Sequence, residues 1–202
     1  MGPKKQTGND SFLANERINS FLKYFFKFVI IFCIFYFGTK AIIGLAAPGG
    51  YYVAFIDHYF NYISWLRSSL LYAARAIVFI AGFETYVWNI YTLRIQYGRG
   101  VLIGFDCLGY GVLCFWAAFI IANKGSWIKK AKWIAGGFFL IWMINVFRIS
   151  FLLIAINKHW AMPLGLDHHT WFNIAAYSCI FILIYFFARS DKQLLSGQYE
   201  RE

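Results

Sequence analysis

Long apolar runs separated by short polar stretches dominate the 202-residue chain. A spanning helix needs about 20 apolar residues, with roughly 17 as the lower limit. Residues 28–47 and 133–156 meet that length and predict full membrane helices. The runs 108–123 and 171–188 predict shorter ones, and 68–83 predicts another, apolar except for Arg75. The stretch 51–66 carries Asp57, His58 and Asn61 among aromatic residues and reads as a short span or as a helix lying in the interface. No small-residue cleavage pattern leading into a soluble domain follows the first run, which predicts a retained helix rather than a signal peptide.

Between Glu84 and Asp106 the period changes. Tyr91, Leu93, Ile95 and Tyr97 alternate with Thr92, Arg94 and Gln96, and a second apolar set follows at Val101, Ile103 and Phe105. Gly98-Arg99-Gly100 separates the two sets. Alternation about a glycine-rich turn predicts a β-hairpin over about residues 90–105. Hydrocarbon cannot satisfy the edge groups of an open hairpin, so this piece is expected outside the lipid or on protein at the interface.

Composition and charge turn these segments into a topology. The chain is 60% hydrophobic and only 14% charged, with mean hydropathy +0.55. So short a chain cannot hide that much apolar surface in a water-soluble core, which makes the lipid bilayer its expected partner. A net charge of +10 in a soluble protein would raise nucleic acid as a partner. Here none is expected, because Lys and Arg mark the cytoplasmic loops of membrane proteins. Basic clusters stand at Lys4, Lys5, Arg17, Lys23 and Lys27, at Lys124 to Lys132, and at Arg189, Lys192 and Arg201. All three on the cytoplasmic side require an even number of spans: six, if 51–66 crosses and Arg67 faces the cytoplasm. The expected fold class is thus an all-α polytopic membrane protein of about six transmembrane helices with a short extracytoplasmic β-hairpin. A cytoplasmic polar N-tail at 1–20 and a cytoplasmic C-tail at 189–202 flank a single transmembrane domain at 21–188.

That topology gathers candidate chemistry on the outer face. Cys107 stands where the hairpin ends and a span begins. Arg148 is ~22 Å along a span that starts at Trp133, in the outer half of a ~30 Å core. Asp167-His168-His169 precedes the last span. Taken singly, each has a plainer account: an interfacial thiol, a cation paired within the bundle, ordinary interfacial histidines. Arg75, also within a span, has Glu84 or Asp57 as a structural partner. Together a thiol, a guanidinium and an imidazole suit acyl transfer: thiolate nucleophile, oxyanion-binding cation, proton carrier. Asp167 is placed to orient a histidine. Cys33, Cys114 and Cys179 lie in apolar runs as small hydrophobes. No Cys/His spacing suits a metal, and no His pair within the spans suits haem, so no cofactor is expected.

At these residues the chain resembles the exosortase/archaeosortase family of membrane-embedded cysteine transpeptidases. The likeness runs from about Ser68 to Ala188 and rests on LLYAARAIVFIAGFETYVWNIYTLRIQYGRGVLIGFDCLGYG, a basic loop, INVFRISFL and LDHHTWFN. The family pattern of Cys then Gly, Asn-x-x-Arg in a helix, and His before the last span falls on Cys107 with Gly109, Asn145 with Arg148, and His169 or His168. His169 is preferred because Asn173, four residues on, takes the family's small-residue position. Leu108 stands where many members have Ser or Thr. The resemblance implies a nucleophilic Cys107 assisted by Arg148 and His169. It implies membrane-anchored protein substrates with a C-terminal sorting signal of motif, helix and basic tail. It also implies transfer to a surface acceptor at the outer face of the cytoplasmic membrane.

Two other classes compete. One is a small transporter or channel with Arg75, Arg148 and Asp57 along a polar path, against which the lack of paired inverted repeats counts. The other is a non-enzymatic subunit of an export or polysaccharide assembly system. The sequence leaves the oligomeric state open.

Overall fold

The computed structural model describes residues 6–47, 51–160 and 168–199, with the side chains at 6–14, 17, 106, 168, 169, 171, 172, 175 and 191–199 outside the description. It is mainly helical. The helices are α1 (Gln6–Ala46), α2 (Ala54–Phe60), α3 (Tyr62–Ile80), α4 (Tyr110–Ala122), α5 (Trp127–Asn157) and α6 (His168–Tyr199). Between α3 and α4 lie β1 (Thr85–Asn89), β2 (Thr92–Ile95), β3 (Gly100–Leu102) and a 3-10 turn, Phe105–Cys107.

Among the described residues, three helical stretches are long and apolar enough to cross a membrane: Ile18–Ala46, Tyr62–Ile80 and Trp127–Asn157. Tyr110–Ala122 and Ala176–Ser190 are shorter apolar helices. The expected span 51–66 does not form. α2 has 7 residues, about 10 Å of helix, and Asn61 breaks the run at φ −79°, ψ 61°. The Asn61 side chain instead caps α3, its Oδ1 accepting from Ser64 N at 3.0 Å, as helix N-termini prefer. Asp57 accepts from Tyr52 and Asn61, and Arg75 is exposed, so Arg75 does not pair with Asp57 or Glu84 among the described residues. α1 and α6 continue as helix through much of 1–20 and 189–202.

The helices have one common basic end. Asn123, after α4, donates to Tyr24 of α1 at 3.3 Å. Phe187 of α6, two residues before Arg189, meets Trp133 of α5 at 5.4 Å between ring centroids. Lys130 of α5 is buried, yet it donates to Ile121 O at 3.1 Å and lies 4.9 Å from the Trp127 ring centroid. It thereby caps the carbonyl end of α4, where a cation is favoured.

At the other end of α5 sits the sheet. The expected hairpin exists as β2 and β3, but β1 pairs on its far side, giving a three-stranded antiparallel sheet in the order β1-β2-β3. Leu93, Ile95, Val101 and Ile103 are buried, as their alternation requires. Tyr97 is not part of that face. It is fully exposed in the turn with φ 60°. Asn157, the last residue of α5, accepts from Arg99 N at 2.7 Å and donates to Arg99 O at 3.2 Å, so its amide acts as a neighbouring strand. The main core lies beneath, formed by α3 and α5 with the inner face of the sheet. Arg67, expected at the cytoplasmic basic side, is instead buried there against Tyr91 and Phe105.

A second, smaller core at the basic end turns on Trp116, which is fully buried and donates from Nε1 to Trp133 O at 3.0 Å. A Cβ at Gly137 would collide with that indole, whereas one at Gly136 would meet nothing within 4 Å. Gly137→Ala should therefore lower stability by about 1–3 kcal/mol through overpacking. Gly136→Ala should be neutral or stabilising by up to about 1 kcal/mol through helix propensity. Thermal unfolding of the two variants in detergent checks the contrast.

Candidate functional site

The polypeptide leaves β3 through Gly104 and makes one 3-10 turn, with Cys107 N donating to Gly104 O at 3.1 Å. Leu108 follows, fully buried, and then Gly109 in the left-handed region at φ 71°, ψ 15°. Gly109 is the N-cap of α4 and reverses the chain. Glycine is needed there twice over: non-glycine residues are strained in that conformation, and a Cβ would strike the Asn145 side chain. Asn145 is buried, and its Nδ2 donates to Leu108 O at 3.2 Å. Leu108 lies outside α4, just before its N-cap, so its buried carbonyl has no helical partner, and this bond satisfies it and fixes the turn that carries Cys107.

Arg148 lies three residues beyond Asn145, on the same side of α5. Gly109, Asn145, Arg148 and Asn173 all line one cavity of about 640 Å³ between α1, α4, α5 and α6. The remaining wall is aliphatic and aromatic, including Phe32, Phe115, Ile141, Ile180 and Ile184. Tyr36 and Tyr110, also on its wall, stack at 5.8 Å between ring centroids. Cys107 is half-buried and does not line the cavity. It packs on the main core, two residues before Gly109.

Four of the residues expected from the sequence thus meet in one cavity, and Cys107 adjoins it on the same turn. His168 and His169 are the first residues of α6, with side chains outside the description, and Asp167 lies outside the described residues. No group of three or more His, Cys, Asp or Glu able to hold a metal occurs among the described residues. The burial of Arg67 is not visible in the sequence. An Arg one residue past an aromatic-rich run looks like a loop marker, and nothing local reveals that Tyr91 and Phe105 fold over it. Compared with protein-family models, curated proteins and solved structures, the chain matches none.

The clash between a Cβ at 109 and Asn145 yields a thermodynamic cycle. Asn145→Ala should cost about 1–3 kcal/mol by leaving Leu108 O unbonded. Gly109→Ala should cost at least about 1 kcal/mol from its backbone alone. In the double variant the collision disappears, so the combined loss should fall short of the sum by about 0.5–3 kcal/mol. Unfolding curves of the four proteins in one detergent measure it.

Proposed function

We propose that this chain is a membrane-embedded cysteine peptidase or transpeptidase of the exosortase type. It would cut a C-terminal sorting signal and pass the new acyl end to a surface acceptor. The observation that carries the reading is the bond from Asn145 to Leu108 O. It ties the turn of Cys107 to the helix of Arg148, so two residues far apart in sequence belong to one rigid unit. Cys107 supplies the thiolate, and the start of α4, just beyond it, favours a negative charge. Arg148 holds the oxyanion in a cavity of mostly apolar wall, where such a contact is strong. His169, or His168 beside it, carries the proton to the departing amine. The thiolate attacks the scissile carbonyl, the C–N bond breaks, and the thioester is opened by the acceptor's amine or hydroxyl, or by water. With the basic end of the bundle in the cytoplasm, this chemistry lies on the extracytoplasmic side of the inner membrane.

One observation favours the second reading, a small transporter or a non-enzymatic assembly subunit. The cavity holds Arg148, Asn145 and Asn173, while Cys107 packs on the core beside it. A binding cavity needs the first three and is indifferent to the thiol.

The two readings part at Cys107. In cells expressing a reporter with a C-terminal apolar helix and basic tail, Cys107→Ala should abolish trimming while the protein still inserts. Arg148→Lys should slow it at least about tenfold, because Lys lacks the planar fork. Trimming at the normal rate by Cys107→Ala sinks the peptidase.

A further inference from the structure

β3 is an edge strand, with no strand beyond it among the described residues. Its register with β2 decides which backbone groups face outward. Ile95 N donates to Arg99 O at 3.3 Å and Ile103 N to Tyr91 O at 2.7 Å, so these two pairs are of the bonded kind. Bonded and non-bonded pairs alternate along an antiparallel ladder. Arg94↔Gly100 and Thr92↔Leu102 are therefore non-bonded pairs. The N–H and C=O of Gly100 and Leu102 point away from β2, and the N–H of Gly104 continues the row.

Two observations set this edge apart. The opposite edge, β1, is interrupted by a bulge between Val87 and Asn89, a common way to blunt an edge against pairing. β3 carries no bulge, charge or proline; its outward row is Gly100, Leu102 and Gly104. Leu102 is exposed, and a Cβ at Gly104 would meet nothing within 4 Å, so a second backbone has room beside them. This edge also leads directly into the turn of the candidate nucleophile, where Gly104 O accepts from Cys107 N at 3.1 Å. A membrane-anchored substrate has the matching need. Its scissile peptide must leave the helix to be attacked, and unwound backbone next to hydrocarbon must find partners.

We propose that the outer edge of β3 takes the extended segment of the substrate protein that precedes its membrane helix, pairing with it as an added strand. The proposal rests on Cys107 being the nucleophile of a peptidase, and it names how that enzyme holds its substrate. Main-chain bonds to Gly100, Leu102 and Gly104 set the register and lead the scissile bond to the Cys107 turn. Selectivity falls to every second substrate residue, those sharing the face of Leu102. Pairing this short is weak by itself, but the substrate's own helix already confines the segment to the membrane surface. β2 holds the inner side of β3, and Asn157 holds its turn at Arg99, so the edge is fixed before the substrate arrives.

The reporter with a C-terminal apolar helix and basic tail tests this. Gly104 has φ −70°, a value proline shares, so Gly104→Pro removes one outward donor and no bond within the sheet. Gly104→Ala keeps that donor. Gly104→Pro should trim the reporter about tenfold more slowly than Gly104→Ala, because a substrate carbonyl loses its partner. The two proteins should unfold at similar temperatures in detergent. Equal trimming by a folded Gly104→Pro protein overturns the proposal. A second measurement depends on neither that variant nor catalysis. In a chain with Cys33, Cys107, Cys114 and Cys179 replaced by Ala, Leu102→Cys is oxidised against single cysteines walked along the reporter segment ahead of its helix. Facing residues of paired strands lie within disulfide range, so adducts should form at every second position. No adduct, or adducts at the three- and four-residue spacing of a helix, overturns the proposal. So does a Leu102→Cys homodimer in place of the reporter adduct, which marks an interface between copies of this chain. Alternating adducts with normal trimming by Cys107→Ala would keep the dock and remove the peptidase. Trimming that depends on Cys107 without alternating adducts would keep the peptidase and remove the dock.

Discussion

Where a chain leaves regular structure among apolar surroundings, each freed backbone group must find a partner, because neither lipid nor a packed core supplies one. α5 meets that demand over most of its length. Lys130 caps the last turn of α4. Asn145 takes the carbonyl of Leu108, just before α4. Ser150 reaches Ala74 O on α3 at 3.4 Å, and Asn157 holds both backbone groups of Arg99. Between helices in lipid there is little hydrophobic drive toward one register, so small residues and polar contacts decide it. The polar residues of this otherwise apolar helix are therefore the pegs on which its neighbours hang.

Function, on the reading argued above, makes use of the same pegs. Asn145 satisfies a buried carbonyl and thereby presents the turn of Cys107 to the helix of Arg148. Gly109 contributes by having no side chain, leaving room for the Asn145 amide. The Cys-x-Gly and Asn-x-x-Arg patterns, 36 residues apart by Asn145's place after Gly109, are thus two halves of one contact. Neither half has that meaning alone, which is why each is a weak signal when read singly.

Periodicity made much of this fold legible. The long runs gave α1, α3, α4, α5 and α6, and strict alternation gave β2 and β3 with their buried faces. What stayed hidden depended on contacts distant in sequence or on a single cap. β1 is a strand because Thr85 to Asn89 pairs with β2, and five residues carry too little pattern to announce it. The stretch 51–66 was judged by hydropathy, whereas Asn61 divides it by capping α3. Of the site, the sequence supplied Gly109, Asn145, Arg148 and Asn173, which share a cavity. It misplaced Arg67 because basic residues near span ends usually mark loops, and only the packing of Tyr91 and Phe105 distinguishes this one.

Two buried cations in one small protein make that distinction concrete. Lys130 and Arg67 both lie among aromatic rings inside helices. Lys130 has a carbonyl to donate to, at the end of a helix where a positive charge is favoured, and its burial is explained by the fold alone. Arg67 lies over the Tyr91 and Phe105 rings, with no hydrogen-bond partner at Nε or Nη2. Burial of charge is thus no evidence of function by itself. The two differ in what they satisfy: one cation closes a gap in the backbone's hydrogen bonding, and the other leaves Nε and Nη2 unbonded beside Phe105.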